Sequence, residues 1–255
     1  RKIRPFMLRR RKADVLKELP AKTEMVVKIP MTHEQAKVYE AARIRAISNL
    51  GKTGSPLIDL LKHLTNLRRI ACHPYLEAEA PDPFQSGKFE YLDSKLIELS
   101  VASEGVLVFS QYTSVLKVLK VLLKKRGIET LYLDGKTPEK ARRTLVTRFQ
   151  DGAAKFFLIS LKAGGTALTL TRADTVIHLD PWWNPAAENQ ATDRAHRIGQ
   201  KKHVMVYKLI SEGSVEEKVL ALQGRKRELF NELIDGEESR SNRITRDDIA
   251  ALLER

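Results

Sequence analysis

The sequence predicts an α/β fold: a parallel sheet covered by helices on both faces. Three observations carry this expectation. Short runs such as Val106–Phe109, Phe156–Ile159 and Thr175–Leu179 are continuously apolar, as strands buried on both faces must be. Helical stretches alternate with them, the pattern of parallel strands joined by crossovers. Gly, Pro and Asp punctuate the joints.

The elements follow in order. An amphipathic helix is expected from Pro5 to Lys17, stopped by Pro20. Thr23–Ile29 reads as a strand, and Thr32 to Gln35 as an N-cap with an acid in the first turn of a helix reaching Leu50. Gly51 to Pro56 is a loop, and Leu57, Leu60, Leu61, Leu64 and Leu67 lie on a helix ending at Ile70. Ala78 to Ser86, rich in Pro, Asp and Glu, marks an internal boundary. Beyond it the strand Val106–Phe109 is followed by a helix over Val115–Lys125, a strand over Thr130–Leu133 and a helix over Pro138–Phe149 with Pro at its first position. After Phe156–Ile159 a short helix is expected over Gly164–Leu170. After Thr175–Leu179 come a helix over Ala186–Ile198, a strand over Val204–Leu209 and a long helix from Ser214 to about Leu233.

Composition narrows the partners. Lys and Arg number 45 against 32 Asp and Glu, a net charge of +13, which makes a polyanion plausible because neutralising phosphates releases counterions. Cys72 is the only cysteine, so neither an internal disulfide nor a cysteine zinc cluster can form. No apolar run approaches ~18 residues, and an intracellular protein without a membrane partner is expected.

The most informative stretch is Gln190-Ala-Thr-Asp-Arg-Ala-His-Arg-Ile-Gly-Gln200. It sets Arg194 and Arg197 three residues apart on the expected helix, so both side chains would leave one face. A guanidinium is a permanently charged fork of donors matched to phosphate oxygens. Such a pair aimed across a cleft suits charge growing on a γ-phosphate, whereas two arginines alone also suit a solvated helix face. Ser160 to Gly165 ends a strand and opens a helix. Its glycines admit a close ligand, free N–H groups attract phosphate, and Lys162 adds a charge.

In order, SLKAGG, DTVIHLDPWWNP and QATDRAHRIGQ resemble motifs V and VI of the SWI/SNF-type ATPases of helicase superfamily 2. PFMLRRRKADVLKELPAK and LRRIACHP resemble that family's approach to its second motor lobe. VLVFSQYTSVLKVL is similar to its motif IV, and YKLISEGSVEEKVLALQGRK to its C-terminal segment. The resemblance implies a RecA-like second lobe. A linker and mainly helical lead-in would span residues 1–88, the lobe 89–212, and a helical segment packing back on it 213–255.

The resemblance also implies roles. Arg194 and Arg197 would reach toward ATP, Arg197 as the preferred finger, supported by Gln190, Gly165 and Asp193; Glu188 and Asp193 would orient the arginines or favour the helix start. Lys162, Ala163 and Gly164 would hold a DNA backbone, with Ala167 and Thr169 standing where the family has Gly and Asn. Ser110 and Gln111 would donate to a DNA phosphate or cap a helix. Trp182 would stack on a nucleotide or lock its loop. Lys136, Arg142 and Arg143 would extend the phosphate track, or stand solvated.

Two look-alikes drop out. Gly51-Lys52-Thr53 lacks the glycine that a phosphate loop needs at position 46, which is Ala, and Cys72-His73 has no partner pair at ligand spacing. With no phosphate loop and no acidic metal-holding box in the sequence, ATP and Mg²⁺ would be held mainly by a first lobe of the same polypeptide. The implied partners are double-stranded DNA, that first lobe, and DNA-bound proteins as remodelling targets. The compact lead-in favours a prokaryotic nucleoid over a nucleus. Two alternatives remain: a lobe of a strand-separating helicase, and a non-catalytic DNA-binding or regulatory module.

Overall fold

The computed structural model describes residues 19–50, 57–79, 81–165, 168–224 and 252. The helix expected over Pro5–Lys17, the loop at residues 51–56 and Ala167 lie outside them. The strands are β1 (Lys22–Ile29), β2 (Val106–Ser110), β3 (Thr130–Leu133), β4 (Phe156–Ser160), β5 (Thr175–His178) and β6 (Val204–Ser211). The helices are α1 (His33–Leu50), α2 (Leu57–Cys72), α3 (Gly87–Ala102), α4 (Thr113–Lys125), α5 (Glu139–Gln150), α6 (Pro185–Thr192) and α7 (residues 215–224).

One sheet holds all six strands in the order β1-β6-β5-β2-β4-β3, every neighbouring pair parallel. Every residue of β2, β4 and β5 is buried, which explains their unbroken apolar runs. Alternation along each strand divides the core in two. Val106 and Val108 face α3 and α4, with Phe89, Leu92, Leu96, Leu116 and Leu119. Leu107 and Phe109 face the opposite side, with Phe149 of α5, Leu170, Ala191 and Ala195. A third cluster joins α1, α2 and α7 through Tyr39, Leu60, Leu64, Leu67, Val215 and Val219.

β1 belongs to the stretch assigned to the lead-in, yet it completes the sheet, Lys22 pairing with Val204 and Ile29 with Ser211. Where the chain leaves β1, Gly87 opens α3 so close to the backbone that a Cβ there would stand 2.0 Å from the Pro30 carbonyl oxygen. Strand β2 has β4 on one side and β5 on the other, so the connections diverge at its carboxyl end. In open parallel sheets that is where a crevice forms.

Three expected elements differ. Glu139, not Pro138, starts α5, and Pro138 is its N-cap. The helix expected at Gly164–Leu170 is a 3-10 turn placed earlier, at Leu161–Gly165, after which Leu168 and Leu170 turn into the core. The helix expected to reach Ile198 ends at Thr192. Other bonds take its carbonyls: the distant Leu170 N–H donates to the Arg194 carbonyl (2.9 Å), and within the loop Gln200 Nε2 donates to the Ala195 carbonyl (3.1 Å).

Candidate ATP-cleft and DNA-backbone site

Ser110, Gln111 and Asp180 form one corner at the carboxyl ends of β2 and β5. Asp180 is buried and accepts hydrogen bonds from the Ser110 hydroxyl, the Gln111 side-chain amide and, at 3.3 Å, the Gln111 backbone N–H. Ser110 Oγ also accepts from the Tyr112 N–H (3.0 Å). Its proton is thus committed to Asp180 and the side chain is fully buried, so in this structure Ser110 ties β2 to the Asp180 corner. Gln111 is half-buried with its amide N–H on Asp180. The sequence reading missed Asp180 as an anchor, although a carboxylate directly after an apolar strand was the signal.

Beneath this corner lies a buried ion pair that the sequence reading also missed. Lys88 Nζ donates to both Glu216 carboxylate oxygens (2.9 and 2.6 Å) and to the Leu179 carbonyl (2.6 Å). Burial is the strongest influence on Lys88 and would lower its pKa, but Glu216 together with Cys72 and Asp180 raises it above the ordinary lysine value. Glu216 also accepts the Ser211 N–H (2.9 Å), so α7 is tied to the ends of β5 and β6.

The Trp182-Trp183 loop is held from below. Glu188, expected to orient the arginines or to favour the helix start, lies buried in the first turn of α6 and accepts from the Trp182 N–H and from Gln223 Nε2 of α7 (2.7 Å), with Lys208 at 3.4 Å. Lys208 also meets Glu24 at 3.0 Å. Burial would raise the Glu24 carboxyl, yet Lys22 and Lys208 prevail and hold it down to about 2. Arg68 lies 4.7 Å from the Trp183 ring centre and donates to the Pro181 carbonyl. Trp182 is half-buried.

In the 3-10 turn Lys162 is exposed and Ala163 is buried. Arg142 spends donors on backbone carbonyls, those of Thr137 (2.8 Å) and Ala163 (3.2 Å), so it staples α5 to the turn and does not extend a phosphate track. Arg143 pairs with Glu139 at 2.7 Å, and Lys136 is exposed. A groove of about 430 Å³ runs between α5 and Leu168–Thr169.

The two arginines part company. With α6 ending at Thr192, they do not share a helix face. Arg194 is buried, its guanidinium carbon 5.6 Å from the Phe109 ring centre, and burial lowers its pKa to about 10. Arg197 is exposed. Between α6 and β6 the loop is drawn toward the amino ends of the strands, because Gln200 Nε2 donates to the Ala173 carbonyl (2.8 Å) just before β5. Gly199, at φ 98°, takes the left-handed conformation that closes the loop. Asp193 is half-buried at the end of α6, and Gln190 is exposed. Gly165 closes the 3-10 turn.

A six-stranded parallel sheet with these loops has close counterparts. The helicase conserved C-terminal domain family matches residues 87–199, and the SNF2-related domain family matches residues 1–76. The C-terminal domain of the Sulfolobus solfataricus SWI2/SNF2 ATPase is 32% identical, covers 83% of this chain and 89% of its own, and superposes with a TM-score of 0.68. The chain belongs to the SWI2/SNF2 ATPase family, with the RecA-like fold of that family's C-terminal domains. The S. solfataricus SWI2/SNF2 ATPase core in complex with dsDNA is similar over 91% of this chain and 50% of that one, at 35% identity and a TM-score of 0.73. A putative ATP-dependent helicase/translocase of Bacillus subtilis, YwqA, is 40% identical over 92% of this chain. The SWI2/SNF2 chain described here spans about a quarter of that relative's length, 26%.

Proposed function

We propose that this chain is the second motor lobe of a DNA-dependent ATPase that moves along one strand of duplex DNA and remodels protein–DNA complexes. The observation that carries the reading is the state of Arg197: an exposed guanidinium on a loop anchored on both sides, at the Arg194 carbonyl before it and at Gln200 after it. A finger needs both properties, a free charge and a fixed base. ATP bound against the first lobe would draw Arg197 onto the γ-phosphate, and hydrolysis would release it. The opening and closing of the two lobes would advance the 3-10 turn, with exposed Lys162, along the DNA backbone. Arg194, beneath Phe109, would shape the finger loop from inside.

The B. subtilis relative is named for helicase or translocase activity, and the S. solfataricus core was solved with dsDNA; both names support the assignment. Mg²⁺ and the phosphate cradle would come from the first lobe, and the isolated lobe would be inactive. Among the described residues no three His, Cys, Asp or Glu side chains group to hold a metal ion. The protein would work inside the cell, where its DNA is.

Phosphate release by the two-lobe protein, with and without duplex DNA, tests this. Hydrolysis should rise with DNA and fall on the order of 10³-fold in Arg197→Ala. Hydrolysis that ignores DNA would favour a regulatory module, and a displaced strand would favour a helicase.

A further inference from the structure

We propose that His196 is a positioning residue that ties the arginine-finger loop to the strand by which the chain enters the lobe. The inference rests on the finger reading of Arg197 and on residues before Pro20 leading from the first lobe. His196 stands one residue before Arg197 and is half-buried. Its Nε2 lies 2.8 Å from the Pro20 carbonyl oxygen. A carbonyl only accepts, so the imidazole carries its proton on Nε2 and donates it.

Pro20 is a firm place to hold. The next carbonyl, that of Ala21, accepts the Val204 N–H (3.1 Å), and β1 then pairs with β6 along its whole length. The proline ring fixes φ, which limits the directions the chain before it can take. Among the described residues, three bonds fasten the finger loop to its surroundings. Leu170, beyond the 3-10 turn, grips the Arg194 carbonyl; Gln200 grips the Ala173 carbonyl just before β5; and His196 grips the lead-in. The first two belong to the lobe's own core side. Of these three, it is the last that connects Arg197's backbone to the segment that must move when the lobes close. A displacement at Pro20 is passed through one hydrogen bond to the residue next to the finger.

His203 gives an internal control. It stands at the far end of the same loop, next to β6 and past the Gln200 anchor, and joins Thr23 Oγ1 of β1 at 2.9 Å, so it ties loop to entry segment without adjoining the finger.

The experiment is steady-state ATP hydrolysis by the two-lobe protein with saturating duplex DNA, alongside thermal melting, for His196→Ala, His196→Gln, His203→Ala and Arg197→Ala. His196→Ala should lower kcat by about 10- to 100-fold, the range that a small misplacement of a catalytic group produces, with KM for ATP and the melting temperature nearly unchanged. His196→Gln, whose amide can donate to the same carbonyl, should recover most of the rate. His203→Ala should hydrolyse like the parent. A parent-like kcat in His196→Ala beside a dead Arg197→Ala would overturn the tie and leave the finger standing. A loss that follows the melting temperature and is not rescued by Gln would overturn it as well. Full activity in Arg197→Ala would remove the finger, and the tie with it.

Discussion

The Asp180 corner and the finger loop lie toward opposite ends of one sheet, and they use charge in opposite ways. At the corner, Asp180, Lys88 and Glu216 are buried, and each spends its charge on a neighbour in the fold. In the finger loop the backbone carbonyls are engaged, while Arg197 projects into solvent. A buried charge is costly unless it is satisfied, so the corner works as a fastening. An exposed guanidinium on an anchored backbone has its charge free for something outside the lobe. Arg194 shows the contrast within four residues: buried against Phe109, it belongs with the fastenings.

The sharpest way to break this contrast is through stability. Lys88→Met leaves Glu216 buried without its cation and should cost about 3–5 kcal/mol in urea unfolding of the 255-residue chain. Adding Glu216→Leu should return part of that loss, while Arg197→Ala should stay within about 0.5 kcal/mol. Equal costs for Lys88→Met and Arg197→Ala would end the distinction. Asp180→Asn keeps one acceptor and loses the charge, so a smaller loss of about 1.5–3 kcal/mol is expected, with Gln111 freed. Crystal or NMR observation of Gln111 still fixed in that variant would deny Asp180 its anchoring role.

An effect spread over pH joins the two regions. His178 lies on Phe109, its ring centre 5.5 Å away, and its Nε2 meets Thr192 Oγ1 at 3.0 Å. Burial, with help from Lys208, pushes its pKa from 6.5 down to about 3. The unfolded chain then takes up the proton first, so stability is intact above about pH 6.5 and is lost as pH falls from there toward 3. This one group contributes a slope of up to about 1.4 kcal/mol per pH unit. His73, also lowered by burial, adds the same sign, and Glu24 enters only below about 4.5. The readout is therefore the difference in slope between the parent and His178→Gln over pH 6.5 to 5. Identical slopes would refute the assignment.

Much of the fold was legible because β2, β4 and β5 are buried on both faces and must be apolar throughout. The end of α6 was not. Ala191 to Ile198 is compositionally helical, and what accompanies the helix end is the Arg194 carbonyl taken by Leu170 and the Gln200 side chain drawn to the Ala173 carbonyl, tertiary bonds that propensity cannot register. Arg194 and Arg197 were legible as a pair by spacing, but their separation into buried and exposed members follows from that lost turn. Ser110 looked available because its captor, Asp180, is 70 residues away. Lys88 and Glu216, 128 residues apart, are the kind of charges that read as surface until the fold brings them together.

The pairing of β1 with β6 has a consequence for how the chain is made. Lys22 leaves the ribosome long before Val204, and at ~5–20 residues per second β1 waits on the order of 10–40 s for the strand it pairs with among the described residues. Until then Met25 and Val26 belong to an unpaired strand, open to any other strand nearby. The last strand synthesised in the sheet is thus the one that retires its first hazard, and a nascent chain stalled before residue 204 is the species most exposed to aggregation.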